Sequence, residues 1–522
     1  MIKTVGQALV SALAARGVEV VFGIPGVHTV EIYRGLLHSG IRHVTARHEQ
    51  GAGFMADGYA RVTGKVGVAF VITGPGLTNT LTAMAQARAD SVPILVVSGV
   101  NRRASLGLGM GLLHELPDQQ AMIRALCPSF QLTSAEKLEC VLEQAFTALT
   151  AGRPGPVHIE IPTDVMRLPC SGSSATQKLL IAPSARLSDV AQAQALLNGA
   201  QNVVILAGGG AKRAEQALRT LAQRLDAPVI QTTNARGLMA QSALSVPASP
   251  SMAAVRDLIK SADQILAIGT EIGQTDYDMY AQNDFPDISG MIRVDICPHQ
   301  LARHKAKLCL EGDSEAICAQ LEGGLTQKDA NGAARAATAR EQAWDALSPQ
   351  IQAQVTLLRA IRTALPQALI VGDSTQPVYA GNLYYDHDIA GGWFNAATGY
   401  GALGYAAGAA VGAALGAPGR PVICLIGDGG LQFSPGELRT ALDENLPIRF
   451  VVWNNQGFGE IASAMAEVGA EVIGCDPSPL DMAAFAKACG LPFQTIIPEA
   501  NALQMALKAT PRGPSFIEIR DY

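Results

Sequence analysis

The sequence predicts an α/β protein of three domains, the first and last of them doubly wound parallel sheets. Three observations carry that reading. The chain has 522 residues, which at roughly 150 residues per domain suggests three or four units. Short apolar runs alternate with helical patterns along its length, as in parallel strands covered on both faces by helices. Hydrophobic residues make up 48% of the chain, aromatics only 5%, and there are 53 glycines. That mix suits closely packed α/β layers better than an all-β sandwich.

The elements follow in order. In the first third, Val18–Gly23, Gly40–Ala46, Gly67–Thr73 and Ile94–Gly99 read as strands, with helices over 4–16, 29–38, 48–63 and 77–90. Gly155–Pro162 closes this block as a strand bounded by prolines, and a Ser/Ala-rich connector follows over 171–186. The alternation restarts at Asn202–Ala207, passes Gly208-Gly209-Gly210 into a helix ending near 225, and continues through strands at Pro228–Thr232, Gln264–Ile268 and Met291–Asp295. The stretch 325–345 is low in complexity and mixed in charge, and reads as a linker. A helix over 350–364 opens the last third, followed by strands at Ala368–Gly372, Pro421–Ile426 and Ile448–Trp453. These breaks give domains over 1–170, 187–325 and 346–522.

Charge and cysteine usage exclude several classes. With 39 basic and 45 acidic residues the net charge is −6, and no basic patch suited to a phosphate backbone occurs, so nucleic acid is not an expected partner. The nine cysteines are scattered without a CxxC pair, which indicates neither a zinc site nor a disulfide framework and fits a reducing cytoplasm. The N-terminus lacks the pattern of a secretory signal. Ile389–Gly419 carries no charge, but it is mostly Gly and Ala and reads as a loop plus a buried helix, so no membrane span is expected.

The strongest motif is Gly427-Asp428-Gly429 followed, 24 residues later, by Asn454-Asn455-Gln456-Gly457. Each half comes just after a predicted strand, and ligands of open parallel sheets gather beyond those carboxyl ends. A carboxylate and a carboxamide brought together there, with free backbone carbonyls, make an all-oxygen site for a hard cation such as Mg²⁺. The glycines let the backbone approach a diphosphate. A second segment runs Arg47-His-Glu-Gln-Gly-Ala-Gly-Phe-Met-Ala-Asp-Gly-Tyr-Ala-Arg61, and then Thr73-Gly-Pro-Gly-Leu-Thr-Asn79.

Together these segments resemble the thiamine diphosphate enzymes of the acetolactate synthase and 2-oxo acid decarboxylase superfamily, from residue 5 to about 520. The resemblance implies a pyrimidine-binding first domain, a diphosphate-binding last domain and a Rossmann-like central one. Gly273–Asp278, Trp393–Gly401 and Leu113–Gln119 are most similar to the 5-guanidino-2-oxopentanoate decarboxylase group. The implied reaction is loss of CO₂ from such an acid to give an aldehyde through an enamine. The alternative is a carboligase of the acetolactate synthase type, in which a second 2-oxo acid intercepts that intermediate.

Residue roles follow from the resemblance together with the chemistry. Glu49 opens a Gly-rich helix after a strand; a carboxylate in an apolar wall would share a proton with N1′ of the aminopyrimidine. Asp428, Asn455 and the Gly457 carbonyl are the implied Mg²⁺ ligands. Pro25, Thr73 and Asn79 on the pyrimidine side, and Thr375, Gln376, Gly427, Gly429, Gly430 and Phe458 on the diphosphate side, complete the implied cradle. Gly401 resembles the backbone partner of the pyrimidine, and Leu403 the wedge that bends the cofactor. His28 and His114 are candidates for proton handling at the reacting carbon. Glu460, at the start of the helix after the implied metal ligands, reads either as the acid that meets a cationic substrate tail or as a solvated helix-N-terminal Glu, with Asp276 and Asp278 as weaker candidates for the tail.

Two departures favour decarboxylation over carboligation. Leu113-His114 stands where the carboligases carry Phe-Gln, and the Trp of their acceptor pocket is absent from 460–466. A third, Val27 in place of the acid or hydroxyl of simple decarboxylases, means their proton relay does not transfer. Gly208–Gly210 does not have the G-x-G-x-x-G spacing, so FAD in the central domain is possible but not favoured. Because the two cofactor-binding domains contribute different parts, the resemblance implies a homodimer with the site at its interface, paired into a homotetramer.

Overall fold

The computed structural model describes residues 3–170, 183–509 and 513–522, so most of the predicted connector at 171–186 lies outside the described residues. Among the described residues there are three six-stranded parallel sheets, and a two-stranded antiparallel ribbon of Lys3–Thr4 with Pro169–Cys170 ties the ends of the first domain together. In the first, the strands lie side by side as Arg42–Thr45, Val20–Gly23, Gly67–Val71, Ile94–Val100, Pro156–Pro162 and Ser129–Gln131. In the third they lie as Trp393–Asn395, Leu369–Gly372, Val422–Gly427, Ile448–Asn454, Ser515–Arg520 and Phe493–Ile496. The two share one topology, second–first–third–fourth–sixth–fifth in chain order. The central sheet has the order third–second–first–fourth–fifth–sixth of a dinucleotide-type fold, from Ser245–Val246 to Leu308–Glu311.

In sheets of this kind the connections leave in opposite directions from two neighbouring strands, and a crevice opens there. In the first domain those strands are Val20–Gly23 and Gly67–Val71, which lead into 24–29 and 72–76. In the third they are Leu369–Gly372 and Val422–Gly427, which lead into 373–376 and the GDG turn. Topology alone therefore delivers the predicted site loops to the two crevices.

The first and third domains dock through two helices, Glu49–Thr63 and Tyr405–Gly416. Their backbones touch. A β-carbon on Gly58 would lie 2.0 Å from the Ala409 carbonyl oxygen, and one on Gly412 1.9 Å from that of Met55, so only glycine fits at either place. Tyr405 adds a hydrogen bond from its hydroxyl to Asp57 at 2.5 Å. This buried helix is the apolar part of the charge-free stretch, and no helix among the described residues is long and apolar enough to cross a membrane.

One sequence expectation is overturned. Much of the stretch read as a linker at 325–345 is a helix, Gly332–Asp345. Its alanines are the reason: Ala favours helix intrinsically, and Ala336, Ala339 and Ala343 form a buried stripe in the central domain's core.

Candidate active site: two half-sites at the sheet crevices

The first half-site is built on the Glu49 helix and the two crevice loops of the first sheet. His48 caps the helix by accepting the Gln50 N–H at 3.1 Å, and the buried Glu437 carboxylate of the third domain accepts the N–H groups of Arg47 and His48 at 3.1 Å each. The Glu49 carboxylate is half-buried. Asn79 donates to its Oε2 at 3.0 Å, so Asn79, expected as a cofactor contact, is the residue that holds Glu49. Glu49 Oε1 faces Gly76, 3.5 Å from where a β-carbon would stand there.

His28 and His114, remote in sequence, meet edge to face with ring centroids 5.5 Å apart. Burial, and then the neighbouring His114, hold the His28 imidazole below its ordinary pKa. His28 Nδ1 and Thr73 Oγ1 are both buried without a protein partner. Buried polar atoms are seldom left unpaired, so this pair of orphans marks a place for a ligand. Pro25 is exposed in the same loop, one residue before Gly26 packs on Ile72.

The second half-site is the GDG turn and its neighbours. The Asn455 carboxamide reaches to 2.8 Å from the Gly457 carbonyl oxygen and 3.2 Å from Asp428 Oδ1. With its NH₂ turned inward it donates to both. With its oxygen inward, that oxygen stands from each of the other two at the spacing of adjacent corners of an octahedron, about 3 Å for metal–oxygen bonds of ~2.1 Å. Burial raises the Asp428 carboxyl pKa above the usual range despite backbone N–H groups nearby, so the group gains from a cation. Among the described residues no cluster of three His, Cys, Asp or Glu could hold a metal; this donor set of carboxylate, carboxamide and carbonyl fits a hard cation.

The cradle closes tightly around it. A β-carbon on Gly427 would sit 3.0 Å from Thr375 Oγ1, and one on Gly429 2.7 Å from the Phe458 ring. Gln376 accepts the Trp453 indole N–H at 3.1 Å, and a β-carbon on Gly459 would stand 2.8 Å from the Asn455 carboxamide. Asn454 plays a part the motif did not disclose: it donates to the buried Glu518 at 2.7 Å and accepts the Gln456 N–H at 3.1 Å, fixing the turn that aims Asn455. Gly430 packs on Asp373, a β-carbon there lying 2.9 Å from its Oδ1.

Asp373 was also missed by sequence reasoning, although it follows a predicted strand directly. It accepts the N–H groups of Gly404 at 3.2 Å and Ala406 at 2.9 Å, and burial pushes its carboxyl pKa up to about 6. Gly401 and Gly404 both have positive φ, 75° and 78°, and Gln86 accepts the Ala402 N–H at 3.1 Å. Leu403 is thus held, half-buried, in a turn pinned on both sides.

The remaining candidates separate clearly. Glu460 is exposed on the helix Gly459–Glu467, and its charge adds to burial in raising the hydroxyl pKa of Tyr379 and of Tyr280. Asp276 and Asp278, weaker candidates for the substrate tail, do structural work instead. Asp276 accepts the Thr233 N–H at 3.0 Å, and Asp278 pairs with Arg256 at 2.8 Å.

A cleft of about 500 Å³ lies where the crevice of the central sheet meets the first domain at Arg61 and Asp90 and the third at Thr398, with Lys212 in its lining and burial pushing that amine's pKa down to about 8. Gly208 and Gly210 are required by loop packing: β-carbons there would lie 2.2 Å from the Gly269 oxygen and 2.9 Å from its Cα.

The sequence comparisons agree with this construction. Family models described as thiamine pyrophosphate enzyme N-terminal TPP binding domain, central domain and C-terminal TPP binding domain match residues 3–122, 190–321 and 373–519. A probable 2-ketoarginine decarboxylase AruI of Pseudomonas aeruginosa is 43% identical over 497 residues, 93% of this chain and 88% of that protein. The acetolactate synthase large subunit of Corynebacterium glutamicum is 32% identical over 493 residues, 88% of this chain and 76% of its own. The acetolactate synthase isozyme 2 large subunit of Escherichia coli is 30% identical over 471 residues, 87% of this chain and 83% of its own. With both half-sites in place and all three domains matched, the chain belongs to the thiamine pyrophosphate enzyme family.

Proposed function

We propose that the protein is a Mg²⁺- and thiamine diphosphate-dependent decarboxylase of a 2-oxo acid with a guanidino tail, releasing an aldehyde. The observation that carries the reading is the oxygen triad of Asp428, Asn455 and Gly457 beside the GDG turn. The 43% identity to a probable 2-ketoarginine decarboxylase supports the substrate.

Thiamine diphosphate, when bound, supplies a nucleophilic carbon and an electron sink that lets a 2-oxo acid lose CO₂. Asp428, Asn455 and Gly457 would hold Mg²⁺ against the diphosphate, with Thr375, Gln376 and Gly427 around it. Glu49, tethered through Oε2 by Asn79, has Oε1 left to share a proton with N1′ of the aminopyrimidine. Leu403, held in the turn pinned by Asp373 and Gln86, would pack against the bound cofactor. His28 and His114 would give or take the proton at the reacting carbon, and the exposed apolar side chains of Val27 and Leu113 beside them would keep that end dry once covered.

Covering them calls for a second chain. Val27, Leu108, Met110 and Leu113 are exposed around the first half-site, and Tyr400, Phe433 and Ile461 around the second. A homodimer that laid one face on the other would bury both and close two sites, and we expect such dimers to pair into a tetramer. The nine cysteines are all free and suit the cytoplasm. Loop packing accounts for Gly208 and Gly210 without a dinucleotide, so FAD is not favoured in the cleft, and purified protein should lack flavin absorbance.

The acetolactate synthases among the relatives favour a second reading, carboligation of pyruvate. An NMR product assay with Mg²⁺ and thiamine diphosphate separates the two. Aldehyde from 5-guanidino-2-oxopentanoate, with little acetolactate from pyruvate, is expected; rapid acetolactate formation contradicts the decarboxylase. In the same assay Glu460→Gln should raise KM for the guanidino acid about tenfold, by loss of a charged hydrogen bond, and leave an uncharged 2-oxo acid unaffected.

A further inference from the structure

We propose that Gln119 is the positioning residue that holds His28 and His114 together at the reacting end of the site. The proposal rests on the reading above, in which those histidines serve the reacting carbon. Gln119 is buried at the start of the short helix Gln119–Arg124. Its Oε1 accepts the Gly74 N–H at 2.9 Å. Its Nε2 lies 3.0 Å from the Gly99 carbonyl oxygen, 2.9 Å from Glu160 Oε2 and 3.2 Å from Ser98 Oγ. These acceptors saturate both N–H bonds of the carboxamide.

The two backbone points it grips are the floors beneath the histidines. A β-carbon on Gly74 would lie 2.6 Å from the His114 carbonyl oxygen and 3.1 Å from its Cβ. One on Gly99 would lie 3.1 Å from the His28 carbonyl oxygen, 3.2 Å from its Cβ and 2.9 Å from Thr73 Oγ1. Gly74 holds φ 66° and ψ −107°, a conformation open to glycine alone, which its neighbours have to maintain. One carboxamide therefore sets the spacing of two loops that the chain delivers separately, and acts on both rings through Gly74 and Gly99. Glu160 anchors it from the adjacent strand and accepts a second bond from Gln131 at 2.7 Å. The side chain of the next residue, Gln120, donates to the Ser129 carbonyl at 3.2 Å, away from Gly74 and Gly99, and supplies the control.

The test uses holoenzyme with ¹³C-labelled histidine rings. In Gln119→Leu, kcat should fall about 100-fold with KM little changed, as for a misplacement near 1 Å. The His28 and His114 ring signals should move while those of His299, His304 and His387 stay. Gln120→Leu should match the wild type. Gln119→Glu preserves shape and the Gly74 bond but sets a second carboxyl against Glu160. The titratable groups around that pair are Asp118, Arg124 and His158. With both carboxyls ionised the donor is lost and the charges repel; when the pair shares one proton the donor returns. Activity of Gln119→Glu should therefore fall as pH rises and recover as pH falls, and this variant decides the matter if Gln119→Leu does not fold. Wild-type kcat in Gln119→Leu, unmoved His28 and His114 signals, or a Gln119→Glu pH profile like the wild type's would overturn the proposal. Full activity in His28→Asn and His114→Asn would instead overturn the reading of the histidines, and leave shifted signals in Gln119→Leu as evidence of the clamp.

Discussion

Glu49→Gln should lower kcat by about 10³-fold and leave the half-saturating thiamine diphosphate concentration within about tenfold, as measured by CO₂ release and by fluorescence titration. The substitution is isosteric, and Asn79 can still donate to the remaining amide oxygen. The helix it opens stays capped by His48 and Glu437, whose bonds go to backbone N–H groups and not to the Glu49 side chain. What disappears is the capacity to share a proton with N1′ of the aminopyrimidine. A variant that binds cofactor normally and fails in turnover is the signature of that role. Equal losses of binding and turnover would assign Glu49 to the architecture of the crevice.

Asp428→Asn should have the opposite signature. The side chain keeps its size, but the charged oxygen 3.2 Å from the Asn455 carboxamide becomes neutral. The half-saturating Mg²⁺ concentration should rise by about 100-fold or more, since even the outer partners of metal ligands cost 10–100-fold in affinity. Activity should return in part at high Mg²⁺, because the Gly457 carbonyl and Asn455 remain. A variant with unchanged Mg²⁺ dependence would remove Asp428 from the cation site.

The parts legible in the sequence were those encoded over short spans. GDG and the second Asn of the NN pair declare themselves because a turn that lets backbone meet diphosphate needs glycine at fixed places, and both sit at strand ends. Glu49 was legible as a carboxylate at a strand-to-helix junction. His28 and His114 could be named as candidates, but their meeting depends on which strands adjoin, and periodicity does not encode that. Gln119, Glu437 and Asp373 were given no role because each acts through bonds to the backbone of a remote loop, and Asn454 was read only as part of its motif because its partner Glu518 lies on another strand. Of these only Asp373 and Asn454, next to strand ends, carried a signal. The helix over Gly332–Asp345 was hidden by a composition that reads as linker, although alanine at helical spacing is what a close helix contact requires. The short strand Trp393–Asn395 was hidden in the charge-free stretch, because three residues give too little alternation to read.

Complementation between the two variants tests whether two chains share each site. In the proposed homodimer the Glu49 half-site of one chain and the Asp428 half-site of the other act on one cofactor. Glu49→Gln and Asp428→Asn chains, co-expressed with different tags and purified through both, would form mixed dimers. In each mixed dimer one site carries both substitutions and the other carries neither. Such material should recover roughly half the wild-type activity per dimer, far above either variant alone. Mixed dimers as inactive as their parents would contradict the claim and place both half-sites on a single chain.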